Sequence, residues 1–322
     1  MMPTLIVLDG HMVDHFVQVT DESVFSTLGV DPGCEYLGMH PWEWDALVQA
    51  VAKIGLTPTV LVGGSGANTA RGFTRLGGKA VVHGQVGNDD AGRRVIEHLL
   101  TDGCDVQLRT VGGATGRCLV FVRPDGKRVM RSDVGVGMDF NDVDLVEATI
   151  APGTWLHLTG YLLDHAFPIH RVAWNIMYAA VDQHVPISMD IGSGAYLDAQ
   201  VIRDVVWHCA TVLFLNDEEA FQLGLGSPEA AASELLRWAH NKRDAVVVVT
   251  QGARGVLVAR GNEVIHVPAV SVAVRDTTGA GDAFASGFLW ALTQGEPLEA
   301  CARLGCQLAA QTIQVIGGVP EK

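Results

Sequence analysis

Strand-like and helix-like segments alternate along most of this chain, and that alternation limits the folds open to it. Short apolar runs rich in β-branched residues are typical of buried strands, whereas longer runs with apolar residues every three or four positions are typical of helices. From Asp142 onward the two patterns take turns: Trp155 to Leu158, Ile169 to Val181, Ile187 to Met189, Ala199 to Cys209, Val212 to Leu215, Pro228 to His240 and Ala245 to Val249. The sequence therefore predicts an α/β fold, a doubly wound and mostly parallel sheet flanked by helices. A long helix over Leu298 to Val315, ended by Gly317-Gly318, completes the pattern.

The first half of the chain has the same pattern with one interruption. Leu5 to Leu8 predicts a buried strand, but between Val106 and Asp133 short alternating segments surround the turn Pro124-Asp125-Gly126. That pattern predicts a β-hairpin, and a hairpin inserted in an α/β chain suggests a lid. We therefore expect a single domain over residues 1–322. Its small β lid is contributed by approximately 10–40 and 106–135.

A glycine-rich stretch near the C-terminus predicts a phosphate site. The stretch is Asp276-Thr277-Thr278-Gly279-Ala280-Gly281-Asp282-Ala283-Phe284, and a helix pattern follows it. Because Gly279, Ala280 and Gly281 have almost no side chains, their backbone N–H groups can close on an anion where the helix dipole adds positive charge. Asp282, in the first turn, would accept a proton from a hydroxyl held against this cradle. The alternative is that Thr277 or its neighbour caps the helix and that the glycines only make a turn.

A second glycine-rich stretch predicts a site for a polyol. Gly63-Gly64-Ser65-Gly66-Ala67-Asn68 follows the strand-like run Thr59 to Val62. Gly64 lets the backbone come close to a ligand, and Asn68 offers a donor and an acceptor to a vicinal diol. Asp14 is expected just past the carboxyl end of a strand, where open α/β sheets bind their ligands. The alternatives are a local helix cap at Asn68 and an ordinary turn carboxylate at Asp14.

Two histidines flank Asp14 at a spacing that metal sites also use. No further cluster of ligands accompanies His11 and His15, so we expect solvated histidines rather than a metal site.

Two predicted strand ends in the second half carry polar residues. Asn216 and Glu219 are three positions apart at a helix start, so their oxygens could hold a hydrated Mg²⁺. Thr250 and Gly252 follow the next strand and could contact a phosphate. Taken singly, each of these residues is also explained as a helix cap or a turn.

Charge and cysteine content exclude several classes of protein. The net charge of −14, with no local cluster of Lys and Arg, argues against binding of nucleic acid or an anionic membrane. The six cysteines include no C-x-x-C pair, and we expect them to be reduced and mostly buried. The apolar run Leu5 to Leu8 is too short for a signal peptide or a membrane span, which predicts a cytoplasmic protein. Motifs of P-loop, simple Rossmann, esterase-elbow and zincin proteins are absent from the sequence.

Taken together, these stretches resemble the ribokinase-like (pfkB) carbohydrate and nucleoside kinases over essentially the full length. Gly63-Gly64-x-Gly66-x-Asn68-x-Ala70 is similar to that family's first signature, and Asp276 to Leu289 is similar to its second. The resemblance implies a ribokinase-like fold and ATP-dependent phosphorylation of a substrate hydroxymethyl group. Its site residues follow by analogy. They are Asp282 as base, Gly279 to Gly281 as anion hole, Asp14, Gly64 and Asn68 as sugar contacts, Asn216 and Glu219 for Mg²⁺, and Thr250, Gly252 and Thr277 toward the nucleotide.

Within the family the chain is most similar to the bacterial adenosine kinase-like branch. Thr115 to Cys118, Asp125 to Arg128, and Leu304 to Gly317 carry that similarity. In the branch, an Arg at the position of Arg128 reaches from the lid to the transferred phosphate; the alternative is a solvated hairpin charge. The resemblance implies a small-molecule substrate and leaves open a homodimer and a K⁺ requirement near Asp276 and Gly317.

Two departures from the branch bear on the substrate. The Gly-Asn pair that usually precedes the substrate Asp is replaced by Asp9-Gly10, and the expected purine-stacking Phe is represented by Tyr161-Leu162. We therefore expect a purine nucleoside kinase with loosened or shifted base selection. The alternative enzyme is a sugar kinase of the ribokinase or fructokinase type. A non-catalytic ligand sensor that keeps the fold is disfavoured, because the base, the anion hole and the metal-organising residues are all present.

Overall fold

The computed structural model describes residues 3–32, 36–192, 199–239 and 244–318. Within these ranges a sheet of nine strands is flanked by helices on both faces, with a second sheet of five strands beside it. The strands are β1 Thr4–Leu8, β2 Met12–Gln18, β3 Tyr36–Leu37, β4 Thr59–Val62, β5 Lys79–Gly87, β6 Asp105–Val111, β7 Gly116–Val122, β8 Arg128–Asp133, β9 Thr154–Thr159, β10 Ile187–Asp190, β11 Val212–Asn216, β12 Val246–Thr250, β13 Val256–Arg260 and β14 Glu263–Val267. The helices are α1 Ser23–Leu28, α2 Pro41–Lys53, α3 Ser65–Arg75, α4 Asp90–Thr101, α5 Val143–Glu147, α6 Ile169–Asp182, α7 Ala199–His208, α8 Asp217–Gln222, α9 Pro228–Trp238, α10 Ala280–Thr293 and α11 Leu298–Thr312.

The large sheet is doubly wound, which confirms the predicted fold class. Its order is β14-β13-β12-β11-β10-β9-β1-β5-β6, parallel from β12 to β6. From β1 the chain winds outward through β5 and β6, and from β9 it winds the other way through β12. The two directions meet between β1 and β9, and open α/β sheets bind ligands beyond the carboxyl ends of the strands at such a point.

Successive residues of β1 feed two separate cores. Leu5 and Val7 pack with residues of α3, α4, α10 and α11, whereas Ile6 and Leu8 pack with residues of α6, α7 and α9. All four side chains are at most 1% exposed. Burial on both faces explains why this strand is continuously apolar rather than alternating.

The small sheet has the order β3-β8-β7-β2-β4. One face packs against α1 and α2 through Phe25, Trp44 and Leu47. The other face carries a smaller cluster, which we call the inner apolar wall: Phe16, Cys118, Val120 and Val122, with Met12, Leu61, Met130 and Ile316 against them. The predicted hairpin around residues 124–126 is present as β7 and β8.

Several element boundaries differ from those expected. Residues 105–111 form a strand of the large sheet, while 59–62, outside both predicted lid segments, join the small sheet. The action of the small sheet as a lid stays a prediction. The last helix ends at Thr312 rather than Val315, because the Ile313 carbonyl accepts a hydrogen bond from Arg275 N and the chain then turns. The predicted helix end at His240 lies outside the described residues.

The structure bears on two expectations from composition, one about the cysteines and one about membrane-spanning segments. Cys104, Cys118, Cys209, Cys301 and Cys306 are free and buried, as predicted, and Cys34 lies outside the described residues. In the part of the chain that the structure describes, no helix is both long enough and apolar enough to cross a membrane.

Candidate active site

Helix α10 begins in a cradle built from glycines. Gly279 has φ +71°, and a Cβ there would lie 2.3 Å from the Cα of Gly318, so both conformation and space require glycine. Gly281 is exposed, so its backbone is open to a ligand. The first amides of a helix have no acceptor inside it. The cradle can therefore receive an anion, as the sequence indicates.

Threonine capping of α10, the alternative explanation of this stretch, is wrong. The N-cap residue is Gly279, and it receives no side-chain hydrogen bond. The Thr278 hydroxyl donates to Asp276 Oδ1 at 2.7 Å, and the Thr277 hydroxyl donates to the Gly126 carbonyl at 3.2 Å. The threonines thus hold the loop, not the helix end.

Asp282 joins the two glycine-rich stretches. Its Oδ1 accepts a hydrogen bond from Ser65 Oγ at 2.7 Å, and its Oδ2 accepts one from Asn68 Nδ2 at 2.9 Å. Burial raises the pKa of Asp282 to about 6, although the Ser65 and Asn68 hydrogen bonds and the charge of Arg128 act in the opposite direction. A carboxylate with this pKa is ionised at neutral pH and is well matched to accept a proton.

Asn68 has one hydrogen-bonding atom still unused by the described residues. Its side chain is 4% exposed, and its Oδ1 is buried with no hydrogen-bond partner in the described part of the chain. Buried acceptors are almost always paired. A ligand hydroxyl would supply the missing donor. The alternative in which Asn68 caps its own helix is wrong, because Gly64 is the N-cap residue of α3.

Asp14 lies beside these groups, but not where the sequence pattern predicts it. It belongs to β2 of the small sheet instead of following a strand end, because the chain enters a new strand at Met12. A Cβ at Gly63 would lie 2.2 Å from Asp14 Oδ2, so that glycine leaves room for the carboxylate. Burial raises the pKa of Asp14 to about 7; the Arg128 charge lowers it, and the neighbouring Asp282 and other carboxylates raise it further.

Gly64 has a conformation and surroundings that require glycine, and its contact with a ligand stays a prediction. Its φ is +98°, and a Cβ there would lie 2.6 Å from Asp9 Oδ2. No side chain can be added at this position without strain.

Arg128 connects the hairpin to the cradle. It is exposed, and its Nη1 donates to the Thr277 carbonyl at 2.8 Å. With the bond from Thr277 to Gly126, this makes two hydrogen bonds between the hairpin and the loop before α10. The guanidinium therefore lies at the edge of the anion cradle, not free in solvent.

Asn216 and Glu219 form a reciprocal cap at the start of α8. Asn216 Oδ1 accepts from Glu219 N at 2.8 Å, and Glu219 Oε2 accepts from Asn216 N at 2.7 Å. The capping explanation is thus correct, and it leaves further lone pairs on both oxygens. Their place at a strand end is as predicted, and their metal role stays a prediction.

Thr250 lies next to Asn216 across the sheet. The two residues are paired at the carboxyl ends of β12 and β11. Gly252 follows with φ +55° and is exposed. Their contact with nucleotide phosphates stays a prediction.

Tyr161 follows β9 at the same edge of the sheet. It lies in a 3₁₀ turn, Gly160–Leu163, and a Cβ at Gly192 would be 3.0 Å from its ring. The structure thus puts Tyr161 beside β10, and its contact with a substrate stays a prediction.

Three polar residues of the site, two aspartates and one serine, were not predicted from the sequence. Asp190 ends β10, and burial, then the Asp282 charge, raise its pKa to about 7. Asp9 follows β1 and accepts a hydrogen bond from Ala67 N. Ser65 binds Asp282. The signal for Asp9 and Asp190 is a polar residue directly after a buried strand; Ser65 has no comparable signal.

The structure differs from the expectation that both histidines near Asp14 are solvated. His11 is 0% exposed, which contradicts the expected solvated side chain, and His15 is half-buried with its ring 5.3 Å from that of Trp44. The described residues contain no cluster of three His, Cys, Asp or Glu side chains arranged to hold a metal. Asp276 accepts hydrogen bonds at both carboxylate oxygens, from Thr278 and from Gly317 N, and a K⁺ requirement near it stays a prediction.

Comparison with known proteins gives consistent results. The sequence profile described as pfkB family carbohydrate kinase matches residues 44–321. A fructokinase of Klebsiella pneumoniae is 32% identical over 261 residues, which cover 78% of this chain and 83% of that protein. Two solved structures superpose on the whole chain and on 96% of their own: an adenosine kinase from Sinorhizobium meliloti, with TM-score 0.89 and 27% identity, and a probable sugar kinase from Rhizobium etli CFN 42, with TM-score 0.88 and 28% identity.

Proposed function

Because this chain belongs to the pfkB family of carbohydrate kinases, we propose that it phosphorylates the 5′-hydroxymethyl group of a purine nucleoside. Family membership makes it an ATP-dependent phosphotransferase that acts on a sugar or a nucleoside. The observation that supports the proposal best is the bonding of Asp282 to both Ser65 and Asn68, at the N-terminus of α10. A proton acceptor thus lies between an anion cradle and the unpaired Asn68 Oδ1, which suits a hydroxyl of a diol.

In the proposed reaction, the acceptor hydroxyl lies between Asp282 and the cradle. Asp282 takes the hydroxyl proton while the oxygen bonds to the γ-phosphorus of ATP, and the bond from that phosphorus to ADP breaks. The first amides of α10 hold the negative charge on the phosphoryl oxygens. Arg128 can bridge two of these oxygens with its planar guanidinium.

Mg²⁺ would neutralise phosphate charge when it is bound with the nucleotide. The oxygens of Asn216 and Glu219 fit that ion, since hard cations prefer oxygen ligands and often keep their waters. Thr250, Gly252 and Thr277 would contact the nucleotide.

A nucleoside is favoured over a free sugar by the surroundings of Asp14. Alternate residues of a strand share a face, so Met12 and Phe16 lie on the same face of β2 as Asp14. Both belong to the inner apolar wall defined above. A ligand with a diol at one end and a flat ring at the other would match this face. The full-length similarity to a bacterial adenosine kinase supports the same choice.

The two halves of the substrate should be selected with different strictness. Asp14 and Asn68 are buried, so an analogue without the matching hydroxyls leaves them unpaired at a cost of on the order of 10²-fold in kcat/KM. Gly10 offers no side chain to the base, and Tyr161 could meet a polar base edge. We expect inosine or guanosine to be accepted along with adenosine, and 2′-deoxy analogues to react poorly.

A coupled ADP-release assay over nucleosides and free sugars tests the proposal. The set contains adenosine, inosine, guanosine, 2′-deoxyadenosine, ribose and fructose at equal concentrations. We expect the highest kcat/KM with a purine ribonucleoside. A higher kcat/KM with ribose or fructose than with every nucleoside would overturn the proposal.

A sugar kinase of the fructokinase type is the second candidate. It is favoured by the 32% identity with the Klebsiella pneumoniae fructokinase over most of the chain. The same assay distinguishes the two candidates, and the roles of Asp282 and the cradle are the same in both.

A further inference from the structure

Helix α3 carries two residues of the site but has no cap of its own. Its N-cap residue is Gly64, which provides no side-chain acceptor. Other helices of this protein have such a cap, for example Asp89 at α4 and Asp142 at α5. The position cannot be changed to a capping residue, because φ at Gly64 is +98° and Asp9 Oδ2 would be 2.6 Å from a Cβ there. The first amides of α3 therefore need an acceptor from elsewhere.

Asp9 provides that acceptor from the end of β1. Its Oδ2 accepts a hydrogen bond from Ala67 N at 2.9 Å, and its side chain is nearly inaccessible. Ala67 is the third residue of the helix, whose amide an N-cap side chain normally binds. A negative charge at this end also interacts favourably with the helix dipole. Gly66 permits the approach, since a Cβ there would be 3.2 Å from Asp9 Cβ.

The surroundings of Asp9 leave Ala67 as its partner. His11 lies behind the carboxylate, with Nδ1 4.0 Å from Asp9 Oδ2. Its Nε2 is 3.0 Å from the His83 carbonyl, which can only accept, so Nε2 carries the proton. Burial lowers the pKa of His11, so Nδ1 is unprotonated and cannot donate to Asp9. Among the described residues, the Ala67 amide is the donor to this carboxylate.

We propose that Asp9 is a positioning residue that caps α3 from outside the helix and thereby holds Ser65 and Asn68 against Asp282. Ser65 and Asn68 flank Ala67 in the same helical turn, and both donate to the Asp282 carboxylate. A shift of this turn would change both bonds at once. The kinetic part of this inference rests on the proposed function; the structural part does not.

The structural part is tested by hydrogen exchange. In the wild-type protein, we expect the Ala67 amide to exchange more slowly than the amides of Ser65 and Gly66, and this protection should be lost in Asp9→Ala. Asp9→Asn should keep it, because an amide oxygen caps a helix about as well as a carboxylate. Equal exchange of the three amides in the wild type would overturn the cap without any variant.

The kinetic part compares kcat and KM for the same variants. Asp9→Ala should lower kcat by ~10²-fold, since small misplacements of reacting groups cost about that much. KM for ATP should stay within about threefold, and Asp9→Asn should restore most of kcat. Asp142→Ala, which removes a carboxylate cap from α5, should leave kcat unchanged.

The outcomes distinguish an Asp9 that only stabilises α3 from an Asp9 that positions Ser65 and Asn68. If Asp9→Ala loses the Ala67 protection but keeps kcat, Asp9 stabilises the helix only and the positioning role is wrong. If Asp9→Ala does not fold, Asp9→Leu, of similar size and without an acceptor, takes its place in the comparison with Asp9→Asn. A wild-type protein that phosphorylates no hydroxyl compound would contradict the proposed function, while the exchange data would still decide the cap.

Discussion

Three aspartates of the site, each on a different element, have raised pKa values. Asp14 and Asp190 have pKa values of about 7 and Asp282 of about 6, with burial as the largest cause in each case. Neighbouring carboxylates add to the effect for Asp14 and Asp190, because like charges disfavour each other's ionised forms. Asp14 and Asp190 are therefore partly protonated near neutral pH, whereas Asp282 is mostly ionised.

Asp282→Asn should lower kcat by about 10²- to 10⁴-fold, because an amide cannot accept the hydroxyl proton. The Asn side chain keeps the shape and can still accept a hydrogen bond from Ser65, so KM for the acceptor substrate should change little. Steady-state kinetics on both substrates checks this. Near-normal kcat with a collapsed affinity would mean that Asp282 is only a binding contact.

The pH profile of kcat/KM should have an acidic limb near pH 6. Asp282 acts in its ionised form, so activity is retained above its pKa and is lost as the pH falls through about 6. Below that point kcat/KM should fall about tenfold per pH unit. Burial, then the Asp282 charge, raise the pKa of Asp190 to about 7, so Asp190 is mostly uncharged at pH 6 and Asp190→Asn should leave the limb where it is. A flat profile between pH 5 and 7 would contradict the assignment of Asp282 as base.

Residues that belong to recognisable motifs could be predicted from the sequence, whereas Ser65, Asp9 and Asp190 could not. Asp282 and Asn68 belong to recognisable local patterns, and the structure joins them directly. Asp9 and Asp190 carry only the weak signal of a polar residue at the end of a buried strand, and that signal does not reveal the helices that they approach, α3 for Asp9 and α10 for Asp190. Asp14 was located on the wrong element, since the pattern does not reveal that the chain begins a new strand at Met12.

At the scale of elements, the hairpin β7–β8 is held against the loop before α10. Arg128 of the hairpin donates a hydrogen bond to the Thr277 carbonyl, and the Thr277 hydroxyl donates one to the Gly126 carbonyl. The hairpin is thus tied by two hydrogen bonds to the loop that leads into the cradle.

Arg128→Lys should lower kcat more than it raises KM for ATP, because an ammonium cannot bridge two phosphoryl oxygens as a guanidinium does. Arg123→Lys is the matched control: Arg123 also follows β7, but it pairs with Glu22 away from the cradle. Initial-rate kinetics at varied ATP concentration measures kcat and KM for both variants. Wild-type kinetics in Arg128→Ala would make Arg128 a hairpin charge without a role in transfer.

Glu219→Gln should reduce activity in a manner that added Mg²⁺ partly restores, since a weaker oxygen ligand holds the hydrated ion less well. Gln also serves in a capping box, so the fold of α8 should survive. Glu43→Gln is the control, because Glu43 has the same capping role at α2. A Mg²⁺ titration identical to that of the wild type would remove the metal role.

Helices and strands with strong hydrophobic periodicity could be predicted from the sequence, whereas the pairing of strands that lie far apart in sequence could not. The helices at 169–182 and 199–208 agree with the predicted segments within one residue. The strands β13 and β14 were missed because their residues form a short antiparallel edge beyond the regular alternation. The assignment of 59–62 to the small sheet depends on pairing with β2, which lies distant in sequence.

At the scale of the whole molecule, topology explains the position of the site. Asp9, Asp190, Asn216 and Thr250 all lie at the carboxyl ends of parallel strands, on one edge of the large sheet. The small sheet contributes Asp14 from the other side. The alternation of segments was enough to predict this architecture, because right-handed crossovers bring parallel strand ends together.

The most direct test of the account is the identity of the phosphorylated product. The purified protein is incubated with ATP, Mg²⁺ and the best acceptor from the ADP-release assay, and ADP is quantified while the new phosphate ester is examined by proton-coupled phosphorus NMR. We predict one ester per ADP, and a triplet-like signal for its phosphorus, because a phosphate on a hydroxymethyl group couples to the two protons of that carbon with similar constants. A doublet, which indicates a secondary hydroxyl, or ADP without any ester would contradict transfer from this cradle to a hydroxymethyl group.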